Sequence, residues 1–372
     1  MTTKQTSSDQ AELTINLDAL ADNYRLVAKR AAAAKPAAVV KANAYGLGLA
    51  QVAGRLLHEG CRHFFVANTE EAVSLRRLTD AADISADIYV LNGLAPEMAE
   101  ILVAENLRPC LGSPEEITEW RAACDKHGRN LAAAIHIDTG FNRLGLSMAD
   151  WQNVAAAFDD VFTPALLMSH LACADTPAHE KNKAQLAAFQ KITASQPSIP
   201  ACLANSGGIF LGAEYHFDMV RPGIALYGGS NFATAEDKLA AVVGIEAPIL
   251  QIRQVKNGET VGYGGDFVAA RDSQVAVLAI GYADGFARNL GGGTAVTHVA
   301  VKGLKAPVIG RVSMDLIAID ITDCGDGIAR GDKVEILGPE IPLGEQALRA
   351  QTISYELLTR LGTRLKRVYK QD

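Results

Sequence analysis

The sequence lacks any block of basic residues. Its 35 Lys and Arg are dispersed among 42 Asp and Glu, for a net charge of −7. That excludes a nucleic-acid footprint, and any anionic ligand must be held by a local site and not by the overall field. No apolar run reaches the roughly 20 residues of a membrane span, which excludes a helical membrane anchor. The six cysteines (Cys61, Cys110, Cys124, Cys173, Cys202 and Cys324) form no C-x-x-C pair. A chain of this size needs no disulfide staples, so reduced thiols in or near the core of a cytoplasmic protein are expected, with no metal implied. The N-terminal MTTKQTSSDQ lacks the apolar core of a signal peptide, and residues 1–11 are expected to form a disordered tail. A Gly-rich G-x-G-x-x-G turn is also missing from the first strand–helix join, KANAYGLG, which argues against an open dinucleotide-binding sheet.

What is present is a chain of 372 residues, 49% hydrophobic and 21% charged, a globular balance long enough for about two domains. Between residues 37 and 230 short apolar runs alternate with stretches of helical period. The runs are AAVVK at 37–41, HFFVA at 63–67, DIYVL at 87–91, RPCL at 108–111, LAAAIHID at 131–138, ALLMSHL at 165–171, IPACLAN at 199–205 and FDMVRPG at 217–223. Helical patterns such as EITEWRAACDKHG and EKNKAQLAAFQKI lie between them. Eight β-α repeats predict an N-terminal (β/α)8 barrel over 12–240. From 241 to 372 the runs VVGIEAPILQIRQV, SQVAVLAIGY, TAVTHVAV, APVIGRVSMDLIAIDI and DKVEILG predict a mostly-β domain. The stretch EQALRAQTISYELLTRLGTRL reads as its terminal helix, and the strand LTINL at 13–17 is a candidate to join its sheet.

Barrel chemistry sits at the C-terminal ends of the strands. Those ends supply Lys41, His136, Asp138, His170, Asn205, Ser206, Arg221 and Gly223. A lysine closing a buried strand is costly without a partner, so Lys41 is either a structural ion pair or an amine activated by desolvation for Schiff-base chemistry. His170 and Arg221 taken singly would be structural; converging at one rim, the three groups indicate a site. The turns Ser206-Gly207-Gly208 and Pro222-Gly223-Ile224 offer backbone N–H groups suited to a phosphate.

The segments AVVKANAYGLG, HIDTGFNRLGL, SHLACAD, ANSGG, RPGIALYG, IGYADGF, GRVSMD and TISYELLTR occur in the order seen in the alanine racemase family, and the resemblance runs from about residue 12 to 368. The resemblance implies an isomerase that interconverts L- and D-alanine with pyridoxal 5'-phosphate, as a homodimer whose subunits share their active sites. It implies that Lys41 carries the cofactor and serves one face of the substrate Cα. Tyr282, from the partner subunit, serves the other. It further implies that Arg221 faces the pyridine nitrogen and His170 packs beside the ring. Tyr45, Ser206, Gly223, Ile224 and Tyr355 would bind the phosphate, and Arg143 and Met314 the substrate carboxylate. Two acid/base groups on opposite faces remove and return a proton without moving the substrate. A tyrosine with an ordinary pKa near 10 needs a cationic or hydrogen-bonding neighbour for this task, and His170 and Arg221 are the candidates.

The sequence departs from the family pattern in three places. His136 stands where many members have a carbamylated lysine. Arg143 must then be held by Asn142, by a bound anion such as chloride, or by another network. Phe141 replaces a common methionine, expected to alter packing only. Leu47 replaces the histidine of AYGHG and removes a polar group near the phosphate side. Three alternatives stay open: a racemase of another or several amino acids, a pyridoxal-phosphate decarboxylase of the same architecture, and a non-catalytic cofactor-binding barrel. Arg221 argues against the second, because such decarboxylases present a carboxylate to the ring nitrogen. The β-domain segments argue against the third.

Overall fold

The computed structural model describes residues 9–156, 158, 162–229, 238–292 and 296–371. The expected tail lies outside these up to residue 8, as do the first two residues of the TAVTHVAV run. The chain divides into two compact units.

The first unit contains Leu20–Leu226. Seven parallel strands follow one another in chain order: Ala38–Val39, His63–Val66, Asp87–Val90, Arg108–Leu111, Ala134–His136, Leu166–Met168 and Ala201–Cys202. The eighth, Met219–Val220, runs parallel to Lys35–Pro36 at the start of the first. Arg221 N donates to Ala204 O at 2.8 Å on one side, and Val39 N to Pro222 O at 2.9 Å on the other. The eight strands therefore close into a (β/α)8 barrel, and each predicted apolar run supplies one of them. The strands are nearly all buried, as expected of a parallel sheet covered on both faces.

The helices form where local chemistry starts and stops them. Pro114–His127 begins with a reciprocal capping box between Ser113 and Glu116, with Pro114 in the first turn. It ends at Gly128 in a left-handed conformation, with Lys126 and His127 in the last turn. Ile117, Trp120, Ala123 and Cys124 face inward at helical spacing, and the Trp120 indole donates to Leu131 O at 3.1 Å.

The second unit contains Ala240 onward, Tyr227–Gly229 and the N-terminal strand Glu12–Asn16. Its axis is the 13-residue strand Val243–Val255. One end pairs antiparallel with Lys333–Leu337 and the other with Ser273–Leu278, with register shifts at Ile245/Glu246 and Ile249/Gln251. Through Ile317–Asp320, Leu304–Ile309 and His298–Val301 the six strands return on themselves. Bulges of this kind supply the bend that closure requires. Glu12–Asn16 joins this sheet, antiparallel to Val243–Val255 and parallel to Lys366–Lys370. The expected terminal helix is corrected here. Two short helices, Leu343–Arg349 and Ser354–Thr359, precede a final strand, Lys366–Lys370. The KRVYK segment is too short and charged to read as a strand alone, and its pairing with Glu12–Asn16 supplies what its pattern lacks.

No helix among the described residues is long and apolar enough to cross a membrane.

Candidate active site

Lys41 stands two residues beyond its strand, at the head of an unusual turn. Ala42, Asn43, Ala44 and Tyr45 all adopt left-handed conformations, with φ between 52° and 57°. Such conformations cost roughly 1–2 kcal/mol per residue for a side chain with Cβ, and runs of them persist only when surrounding structure fixes them. Here Glu71 does so. Its carboxylate accepts from Ala42 N at 2.7 Å and from Ala67 N at 2.8 Å, tying the turn to the next strand–helix join. Asn43 Oδ1 accepts from Leu49 N at 2.8 Å. Burial lowers the pKa of Lys41, Arg143 lowers it further, and Glu71 opposes both. An amine so placed is easier to deprotonate and more nucleophilic.

Arg221 is buried, and both of its amino groups are held by the barrel. Nη1 donates to Cys202 O at 3.0 Å and Sγ at 2.9 Å, and Nη2 donates to Ser169 O at 2.7 Å and to His170 Nδ1 at 3.2 Å. Because arginine only donates, His170 Nδ1 is the acceptor of that bond, while Asn205 Nδ2 lies 3.4 Å from Nε2. Burial first, then Arg221 and Arg143, hold the His170 pKa well below the ordinary value, so the ring is neutral near pH 7. His170 therefore brings no positive charge to the site, which leaves Arg221 as the cation of that pair. Gln185 fixes the same loop by donating to His170 O at 2.8 Å and accepting from Ala172 N at 2.9 Å.

Ser206 opens the helix Ser206–Leu211, capped by Asn205, whose Oδ1 accepts from Gly208 N at 3.0 Å. Ser206 Oγ accepts from Gly223 N at 2.8 Å and from Ala225 N at 3.2 Å, which leaves its O–H free to donate elsewhere. Gly223 allows close approach: a Cβ there would collide with the Tyr45 hydroxyl. The buried Ile224 N–H donates to no acceptor among the described residues. A hydroxyl donor, a buried N–H and a tyrosine hydroxyl thus meet at one rim, and this donor set fits a phosphate.

Asp138 shapes the loop that bears Arg143. Its carboxylate accepts from Gly140 N and Phe141 N, each at 2.7 Å, and from Asn142 N at 2.8 Å. The Arg143 guanidinium lies 4.1 Å from the centroid of the Phe141 ring. His136 is buried and its pKa falls to about 4, through burial first and then Arg221, so it is a neutral group. Phe141, expected from sequence to alter packing only, is the ring that the Arg143 guanidinium meets. Leu47 is fully buried.

The second unit groups Tyr282 with Met314. Tyr282 lies on the short turn Tyr282–Asp284, where Tyr282 N donates to Ser313 O at 3.1 Å and Ala283 N to Met314 O at 3.0 Å. Gly281 lies flat against the Met314 carbonyl, where no Cβ would fit. Arg364 clamps this turn with two 3.0 Å bonds to Asp284 and one of 2.7 Å to Asp315. Tyr282, Met314 and Tyr355 are all exposed, as is Tyr263 on the hairpin joining Thr260–Val261 to Phe267–Val268. Tyr263 lines a cleft of about 880 Å³ with Arg311 and Ser313.

Sequence reading passed over Glu71, Cys202, Gln185, Tyr263 and Arg364. Only Glu71 left a local signal, the Asn68-x-x-Glu71 capping pattern; the others act across long separations in the chain.

A closed barrel with a desolvated lysine and an anion cradle on one rim defines the class of lysine-anchored barrel enzymes that work with a phosphate-bearing cofactor. Residues 15–231 match the alanine racemase N-terminal domain and residues 242–369 the alanine racemase C-terminal domain. The chain belongs to the alanine racemase family. Agrobacterium fabrum has two similar proteins, a biosynthetic alanine racemase (44% identical, covering 96% of this chain and 93% of that one) and a catabolic one (45%, covering 96% and 92%). Among solved structures, the alanine racemase of Bartonella henselae with covalently bound pyridoxal phosphate superposes with a TM-score of 0.92 at 39% identity, covering 98% of this chain and 100% of that one.

Proposed function

We propose that this enzyme interconverts L-alanine and D-alanine with pyridoxal 5'-phosphate as cofactor. The observation that carries the reading is Lys41, its amine desolvated and aimed by a strained turn, on the same barrel as the Ser206–Gly223–Ile224 cradle. Lys41 anchors the cofactor and moves a proton at one face of the substrate Cα. Ser206, Tyr45, Gly223 and Ile224, with Tyr355, would hold the phosphate, Arg221 would face the pyridine nitrogen, and His170 would pack beside the ring. The cofactor, when bound, supplies an electron sink for the carbanion. Arg221 can only donate, so beside the ring nitrogen it would temper that sink and limit side reactions. Arg143 and the Met314 backbone N–H receive the substrate carboxylate.

The second acid/base group is a tyrosine of the β unit, contributed by the partner subunit of a cytoplasmic homodimer. Resemblance assigns Tyr282. Tyr263 is a second candidate on a specific observation: it lines the cleft of the β unit and is 69% exposed, against 41% for Tyr282.

Absorbance of the purified enzyme, with and without borohydride, followed by chiral analysis of alanine, tests the reading. A visible cofactor band lost on reduction, absent in Lys41→Ala, together with formation of D-alanine from L-alanine, is the expected result. A band without alanine racemisation would leave the anchor and overturn the substrate.

A further inference from the structure

Arg143 forms no ion pair with a carboxylate among the described residues. What it meets is an aromatic face. The Phe141 ring lies under the guanidinium at 4.1 Å, and it also meets the His170 ring edge-on at 5.5 Å between centroids. His170 is in turn held by Arg221. The backbone beneath Phe141 is pinned by the three hydrogen bonds to Asp138. Phe141 therefore connects an exposed cation to a fixed part of the barrel. A guanidinium stacked on an aromatic ring keeps its N–H donors free at its edge, whereas a carboxylate partner would occupy them.

We infer that Phe141 is the positioning residue for Arg143, presenting the guanidinium edge to the carboxylate of the amino-acid substrate. The inference rests on the reading of Arg143 as the carboxylate-binding residue. The ring supplies attraction without neutralising charge, so Arg143 keeps its full affinity for an anion. The role belongs to substrate binding and not to proton transfer, and it predicts a change in KM larger than the change in kcat.

The test uses the holoenzyme and its Phe141→Leu, Phe141→Met, Phe141→Tyr and Arg143→Ala variants. Steady-state kinetics with L-alanine are paired with the thermal shift produced by propionate, a carboxylate that cannot react. Removing the ring in either the Leu or the Met variant is expected to raise KM by about two- to thirtyfold. Both should shrink the propionate-induced stabilisation while leaving the cofactor band intact. Phe141→Tyr keeps an aromatic face and should stay near wild type. If Arg143→Ala raises KM but Leu and Met at 141 do not, the inference fails and the reading of Arg143 stands. If Arg143→Ala leaves both KM and the propionate shift unchanged, the carboxylate role of Arg143 fails, and the inference with it.

Discussion

His136 and His170 illustrate how burial beside a fixed guanidinium sets protonation at the scale of single residues. Both have pKa values below that of an exposed histidine, so the unfolded chain takes up a proton first as pH falls. The stability they contribute is complete above the unfolded value near 6.5 and is lost as pH drops towards their folded values. For His136, which titrates in the fold at about 4, the loss by pH 4 amounts to about 3 kcal/mol. His136→Gln is therefore expected to flatten the pH dependence of the urea midpoint between pH 6.5 and 4. An unchanged slope would mean that the buried imidazole does not carry it. The same neutrality assigns Arg221, and not His170, as the fixed cation of the barrel rim.

The turn from Ala42 to Tyr45 is the element on which the site depends. Its left-handed backbone is disfavoured by Ala42, Ala44 and Tyr45, and is held by Glu71, Asn43 and the packing of Ala44 and Tyr45. Ala42 is exposed, so its methyl group adds strain with little packing to offset it. Ala42→Gly is expected to stabilise the enzyme by about 0.5–1 kcal/mol. Ala72→Gly, in the interior of the helix Thr69–Ala81, should instead destabilise it by about 1 kcal/mol. Chemical denaturation of the two variants against wild type measures the contrast. Equal destabilisation would show that the turn is not strained. Glu71→Gln, which turns one of two acceptors into a donor, should weaken cofactor retention in dialysis while the barrel remains folded.

At the scale of the whole molecule the proposal is an assembly of two copies sharing their sites. It makes a prediction that needs no structure of the dimer. Lys41→Ala and Tyr282→Phe are each expected to be nearly inactive. Mixed after dissociation and reassociation, they should regain about a quarter of wild-type activity, since half of the dimers are hybrids with one intact site in two. Repeating the mixture with Tyr263→Phe identifies the tyrosine that works: complementation belongs to whichever variant was itself inactive. No regain with either would place both acid/base groups on one chain. The family does not decide whether the enzyme supplies or consumes D-alanine, since it is nearly as similar to a relative named biosynthetic as to one named catabolic.

The sequence by itself determined the barrel, because strands buried on both faces must be continuously apolar and the helices between them must carry caps and an amphipathic period. All eight strands were legible for that reason, as were the rim residues that interrupt apolar runs at their ends. The final strand Lys366–Lys370 was not, because its pattern is charged and its pairing partner, Glu12–Asn16, lies at the other end of the chain. Shorter separations, of 80 and 19 residues, hid the Arg364 clamp on the Tyr282 turn and the Cys202 contact to Arg221. The left-handed path after Lys41 was likewise invisible, since Ala and Asn carry no demand for it and the carboxylate that enforces it sits 29 residues away. Tertiary structure alone decided which way Lys41 and Arg143 are aimed, because aim depends on groups that only folding brings within a few ångströms.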